Sequence, residues 1–316
     1  MNTSASTPPK KLIQRGIPAV MATAALLLAA SGCAPSTATS QSTPSGDSAG
    51  SGTEVPALAV NEAAAQLLPE SIKSTKVLRV AIPTNEPPTQ FYREGTQDMT
   101  GTNPDIARLI GQALGVKVEI QVANFDSIIP GIAAGRYDMT VSSMTPTEKR
   151  MEVLDFVDYM QMGTAIAVTA GNPLGIDSEG SLCGKKVGLL TGSYQLTVNV
   201  PETNKACSAA GKEQIQTSEF QDTRQAISAL TSGRLDAVLA DQPILNFASA
   251  QNSQVEVAAT YDFAAVGVGL PKDSGLVKSV GAALSAVVTS DSYRTVLGKY
   301  GLESSAITDA RVNFAQ

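Results

Sequence analysis

Arg150, Asp241 and a group of small hydroxyl residues are the side chains of this sequence whose types and spacing suit recognition of a small charged molecule. Arg150 carries a planar, permanently charged fork that can hold a carboxylate through two parallel hydrogen bonds. Ser142, Ser143 and Thr145 lie just upstream and offer hydroxyls, while Asp241 supplies the opposite charge for an ammonium. On spacing alone, Arg150 could instead be neutralised by a nearby acid such as Asp155.

The elements that must position these groups follow from the surrounding pattern. Tyr137–Val141 reads as a short strand, which puts the hydroxyls at its carboxyl end, where open α/β sheets bind their ligands. Thr145, Pro146 and Glu148 have the order of an N-cap, a first helical residue and the acid of a capping box. A helix starting there would turn free N–H groups and a partial positive charge toward an anion. The pattern then recurs: Ala134–Ser143 matches Ser232–Asp241, so that Ser143 falls on Asp241. In each copy a helix (Ile128–Ala134; Thr223–Ser232) runs into a glycine, Gly135 or Gly233, suited to a left-handed helix end. Two α/β lobes would thus offer equivalent strand ends, one with hydroxyls and a cation, the other with a carboxylate, a pairing that suits a zwitterion.

From about Lys76 to Tyr300 the chain resembles the periplasmic-type solute-binding proteins of polar amino-acid ABC transporters, solute-binding protein family 3. The resemblance rests on Gly101-Thr-Asn-Pro-Asp105, Phe125-Asp-Ser-Ile-Ile-Pro130, Ala134-Gly-Arg-Tyr-Asp138, Ser142-Ser-Met-Thr-Pro-Thr-Glu-Lys-Arg150, Asp155-Phe-Val-Asp-Tyr159, Gly184-Lys-Lys-Val-Gly188, Gly192-Ser193 and Gly233-Arg-Leu-Asp-Ala-Val-Leu-Ala-Asp241. It implies an α/β two-lobe periplasmic binding protein fold of type II, with two hinge strands, Ala165–Thr169 and Val266–Leu270, crossing between the lobes. It also implies that Arg150, the Thr145 amide and Ser193 hold the ligand carboxylate, and that Asp241, Ser143 and Thr145 hold its ammonium. The turn Thr191-Gly192-Ser193-Tyr194 would close over the ligand, and Phe125 would pack on it. An ABC permease is the implied partner. Where many members carry an acid and, three residues on, an aromatic, this chain has Pro83 and Glu86. Glu86 either offers the ligand side chain a carboxylate or points to solvent, and Phe91 or Tyr92 could supply the missing ring.

Lys10, Lys11 and Arg15 precede the apolar run Ile17–Ala30, built like a signal-peptide core and short for a bilayer span. Ala30-Ser31-Gly32-Cys33 looks like a lipobox, in which Cys33 carries lipid and ties the protein to the outer face of the cell membrane; ordinary cleavage or a retained anchor is the alternative. The expected organisation is a signal peptide over 1–32, a flexible tether over 33–72, lobe 1 over 73–170, lobe 2 over 171–265 and a return to lobe 1 over 266–316. The tether expectation rests on the Ser, Thr, Gly and Pro composition of residues 34–56, which buries too little apolar surface to offset ordering. Asn61–Leu68 has room for a helical turn or two.

Asn103 and Pro104 read as the cap and first residue of a helix whose buried face is Ile106, Leu109, Ile110, Ala113 and Leu114. Asp105 would complement that helix dipole. With Cys33 set aside, Cys183 and Cys207 form an even pair in an exported chain, which predicts a disulfide. The chain has no histidine, so two thiolates alone make a poor metal site and histidine-dependent catalysis is excluded. No cofactor is expected. A net charge of −6 without a basic cluster argues against nucleic acid. A monomeric receptor that is not an enzyme is the expectation; a ligand sensor, or a lyase or dehydratase using Glu86 as an acid, is the alternative.

Overall fold

The computed structural model describes residues 55–315. The signal segment, the lipobox with Cys33 and most of the tether lie outside the described residues. Helices α1 (Glu62–Gln66) and α2 (Glu70–Thr75) precede the first strand. The Asn61 side chain caps α1 by accepting the Ala64 N–H at 3.1 Å. Ala64, Leu68 and Ile72 recur every fourth residue and are buried with Val55 in the lobe 1 core. The part of the expected tether from Val55 to residue 72 is therefore packed structure, because a short apolar stripe there has a core to join.

Lobe 1 continues with β1 (Val77–Ile82), the short pair β2 (Phe91–Tyr92) and β3 (Met99–Thr100), α3 (Thr102–Leu114), β4 (Lys117–Val122), α4 (Phe125–Ala133), β5 (Met139–Met144) and α5 (Glu148–Met151). Strand β1 lies between β4 and β5, parallel to both. The expected apolar face of α3 is wholly buried. Its cap differs from expectation: Gly101 is the N-cap, with φ 119°, and a side chain there would meet the Thr89 carbonyl oxygen at 2.5 Å. Asn103 is thereby drawn into the first turn with its side chain buried. Asp105 accepts from Arg108, Lys299 and Tyr300 at 2.7–2.9 Å and is structural.

Strand β6 (Leu154–Thr169) leads to lobe 2, which holds β7 (Lys186–Leu190), α6 (Val200–Ala209), β8 (Gln216–Phe220), α7 (Thr223–Thr231), β9 (Ala237–Asp241) and α8 (Gln242–Gln251). Strand β10 (Val255–Pro271) returns to α9 (Leu276–Val288) and α10 (Asp291–Lys299) of lobe 1. One eight-stranded sheet results, in the order β4-β1-β5-β10-β6-β9-β7-β8, with β6 and β10 antiparallel along their length. Separate apolar clusters fill the two lobes.

The crossing point lies earlier in β6 than expected. Thr164–Ala167 already pair with β9 of lobe 2, whereas Gly267 and Gly269 of β10 pair with β5 of lobe 1. The lobes therefore part near Met162 and Ala264, where the register shifts and Asp262 takes a φ of 50°. Few backbone angles need change there for the lobes to move as bodies.

Cys183, before β7, is bonded to Cys207 of α6 as expected, with Cα atoms 5.6 Å apart. Closing this 24-residue separation stabilises the fold by about 3 kcal/mol in the chain-entropy account. Replacing both cysteines with serine should lower the urea-unfolding free energy by roughly that amount. An unfolding curve identical to that of the oxidised parent would disprove the contribution.

Candidate functional site

The two lobes meet around a cavity of about 30 Å³. Lobe 1 contributes Pro83, Glu86, Gln90, Phe125, Ser142, Ser143, Thr145 and Arg150; lobe 2 contributes Leu190, Ser193, Tyr194, Gln195, Thr223, Ala240, Asp241 and Ile244. All eight residues expected to touch the ligand line it. A larger groove of about 710 Å³ lies outside lobe 1 between Val55–Val60 and α3, but its lining is largely apolar and carries no convergent set of polar groups.

Arg150 is 8% exposed. Its Nη1 donates to the Thr145 carbonyl at 2.8 Å and its Nη2 donates across the cleft to the Gly192 carbonyl at 2.9 Å. The guanidinium carbon stands 5.6 Å from the centre of the Phe125 ring. Burial lowers its pKa to about 10, opposed by Asp241, so it stays charged at neutral pH. Asp155 is engaged instead with Lys272 and Asn313, which removes it as the alternative partner. Arg150's bonds to carbonyl oxygens leave its charge available to an anion.

The local geometry corrects the expected anion-binding helix end. Thr147, not Thr145, caps α5 by accepting the Arg150 N–H, and this helix is a single turn. The strand also runs three residues further than expected, to Met144, because Ser142 and Ser143 bond inside the fold. Thr145 is left between strand and helix, its carbonyl serving Arg150.

Ser143 has a φ of 54°, a left-handed conformation unfavourable for a residue with a side chain. A buried network holds it. Its N–H donates to the Tyr159 hydroxyl at 2.9 Å and its Oγ accepts from Asn103 at 3.0 Å, while Tyr159 donates to Asn103 at 2.7 Å. Tyr159→Phe removes the acceptor and leaves a buried N–H unpaired, at a cost of about 1–3 kcal/mol. Denaturant titration should show that loss, and a variant as stable as the parent would show the network to be dispensable.

In lobe 2, Asp241 ends β9 and its Oδ1 accepts from Gln195 at 2.9 Å. Burial raises its pKa to about 6, opposed by Gln195 and Arg150. The Ser193 N–H donates to the Leu190 carbonyl at 3.0 Å, which leaves the hydroxyl as the donor that Ser193 can offer a ligand. Its hydroxyl accepts from Leu196 at 3.2 Å and keeps its own proton to donate. Tyr194 is half-buried, and burial and Asp262 push its hydroxyl up to about 12, so it remains a neutral donor.

Glu86 points into the cleft, not to solvent, and is 2% exposed. Its Oε1 accepts the Thr223 N–H of the facing lobe at 2.6 Å. Phe91 and Tyr92 form β2 and are absent from the cavity lining, so neither supplies the missing ring. Gln90, Asn103, Tyr159, Gln195 and Thr223 take part without having been singled out as site residues. Gln195 could have been found as the residue directly after the Ser193-Tyr194 turn; Thr223 has no local signal, since only lobe closure brings it to Glu86.

A two-lobe α/β receptor with opposite charges presented from facing strand ends defines a class of protein that closes on small solutes. The chain belongs to the bacterial extracellular solute-binding proteins, family 3, whose profile matches residues 78–303. It is 27% identical to the arginine-binding protein ArgT of Corynebacterium glutamicum, over 78% of this chain and 81% of that one. It is equally 27% identical to a probable histidine-binding protein of Campylobacter jejuni, over 73% of this chain and 87% of the relative. Among solved structures, it resembles an ancestral arginine-binding protein bound to arginine, with a TM-score of 0.65 and 32% identity over 71% of this chain and 98% of that one. An ancestral amino-acid-binding protein that is a precursor of cyclohexadienyl dehydratase is also similar, with a TM-score of 0.63 and 26% identity over 74% of this chain and 99% of that one.

Proposed function

We propose that this protein is the extracytoplasmic substrate-binding component of an ABC importer for an L-amino acid with a polar or cationic side chain. The single observation that carries the reading is the meeting of buried Arg150 and partly buried Asp241, from opposite lobes, in one cavity. A zwitterionic ligand neutralises both: its carboxylate takes the guanidinium and the Ser193 hydroxyl, and its ammonium takes Asp241 with Ser143 and Thr145. Phe125 packs on the ligand, Tyr194 donates at the cleft mouth, and Glu86 meets the side chain. The arginine- and histidine-binding relatives support this class of ligand. Their being binding proteins supports capture without chemical conversion.

Entry requires the lobes to part, since a cavity of about 30 Å³ is an order of magnitude below the roughly 300 Å³ at which small-molecule pockets begin. The loaded, closed form is then the one presented to permease subunits. No helix among the described residues is long and apolar enough to cross a membrane. Attachment falls to lipid on Cys33, which mass spectrometry of the membrane-extracted N-terminal peptide would reveal as added acyl mass.

A thermal-shift panel of the twenty amino acids tests the assignment. A ligand present at a hundred times its Kd stabilises the folded form by about 2.7 kcal/mol. Arginine, lysine, ornithine added to the panel, glutamine and asparagine should raise the melting point most. A panel in which no amino acid shifts it would overturn the function, and one led by leucine or phenylalanine would overturn the side-chain class.

A further inference from the structure

Glu86 occupies the position where the family pattern has an aromatic residue, and its surroundings give the substitution a consequence. It sits on the lobe 1 loop after β1, and its Oε1 takes the first N–H of α7 in lobe 2 at 2.6 Å. Beside it, Asn85 donates to Asp222 of the same helix start at 3.4 Å. The carboxyl is therefore part of the contact that closes the cleft, and it is buried only when the cleft is shut. Its second oxygen, Oε2, is buried without a hydrogen-bond partner on a residue that lines the cavity. A buried carboxylate with one free oxygen is unfavourable unless a donor, best a cation, reaches that oxygen.

The charged and titratable groups around it do not supply one. Asp222 approaches from the start of α7, and Asp241 from the end of β9; both are acids that disfavour a second negative charge. Arg150, on α5, is held by the Thr145 and Gly192 carbonyls, and Tyr194 completes the titratable lining. We propose that Glu86 acts as a charge-reading latch, so that the cleft closes over an ionised Glu86 only when the side chain of the bound amino acid brings a cationic donor to Oε2. The inference rests on the amino-acid reading above and narrows it to α-amino acids with a positively charged end group.

The alternative open to the shut cleft is to take up a proton. Without a donor at Oε2, burial raises the Glu86 pKa to about 8, and the Thr223 N–H only partly offsets this. In an open cleft the same carboxyl is solvated and ionises in the ordinary glutamate range, near about 4.3. Closing over a neutral side chain thus binds a proton between these limits, and affinity for such a ligand falls by up to about tenfold per pH unit as pH rises through that window. Closing over a cation leaves Glu86 ionised, so that affinity stays level. The Arg150 and Asp241 contacts are common to both ligands and cancel in their ratio.

The experiment is titration calorimetry of L-arginine and its neutral isostere L-citrulline at about pH 5.5 and pH 8, inside this window. In the parent protein the arginine-to-citrulline affinity ratio should rise at least about tenfold between the two. In Glu86→Gln, which keeps an acceptor for the Thr223 N–H but cannot ionise, the ratio should stay constant and arginine should bind about 10- to 100-fold more weakly than to the parent. Parent titrations near neutral pH in buffers of different ionisation enthalpy supply a readout that needs no variant: citrulline binding should take up protons and arginine binding none. A parent ratio that does not change with pH, equal proton uptake for both ligands, or an unchanged pH slope in Glu86→Gln would overturn the latch while leaving amino-acid binding intact. Failure of both ligands to bind, with no amino acid of the thermal-shift panel raising the melting point, would overturn the amino-acid reading and the latch together.

Discussion

Arg150→Ala should abolish measurable binding of every α-amino acid while leaving both lobes folded. The guanidinium is the buried cation at the strand-end side of the cleft, and without it the ligand carboxylate would be desolvated with only hydroxyls to meet it. Removing one partner of such a buried pair costs about 3–5 kcal/mol, roughly a hundredfold to several thousandfold in affinity. The loss extends beyond the ligand contact, because Nη2 also bonds the Gly192 carbonyl across the cleft. In the proposed reading, closure and carboxylate recognition are thus carried by the same side chain. Arg150→Lys separates the two effects: it retains a charge but not the fork, and should recover only part of the affinity. The far-ultraviolet dichroism and cooperative unfolding of Arg150→Ala should match the parent, since Thr147 caps α5 independently of the guanidinium. Unchanged affinity by calorimetry would refute the assignment.

The second large effect is expected at Asp241→Asn. The amide preserves shape and can still accept from Gln195, so folding should persist, but the ammonium of the ligand would face a neutral oxygen. Breaking a buried, hydrogen-bonded charge pair by altering one partner costs about 2–5 kcal/mol in affinity. A ligand analogue without the α-ammonium provides the control. It should bind the parent poorly and lose little further in Asp241→Asn, since the interaction is already absent and the two changes do not add. Equal losses for both ligands in the variant would mean that Asp241 supports the lobe and does not hold the ammonium.

The behaviour of Ser143 and Glu86 shows how far a linear reading reaches. The recurrence of the Gly-Arg and strand pattern placed Ser143 and Asp241 at corresponding strand ends, and both line one cavity. That inference succeeds because strand, turn and helix signals are local and because equivalent units in a two-lobe α/β protein present equivalent ends. The disulfide was legible for a related reason: an even pair of cysteines in an exported chain has few other fates.

Sequence order puts the caps at Thr145 and Asn103, two residues before the actual cap at α5 and two residues after it at α3. In both places several residues could cap, and the winner was chosen by packing: Gly101 because the Thr89 backbone leaves no room for a side chain, and Thr147 because Thr145 is held between strand and helix. The left-handed Ser143 is likewise upheld by Tyr159 and Asn103, which come from two other elements.

By itself, then, the sequence determined the class of fold, the two strand ends whose charges line the cavity and the cysteine bridge, since each is written in periodicity, residue type or count. Tertiary structure alone decided which way Glu86 faces, that its partner is the Thr223 N–H, that Arg150 spans to Gly192 while Asp155 is engaged elsewhere, and that Val55, Ala64, Leu68 and Ile72 join the lobe 1 core. The physical reason is common to all four. Each depends on whether a group far along the chain arrives to satisfy a buried charge, a carbonyl or an apolar face, and only closure of the chain on itself settles that.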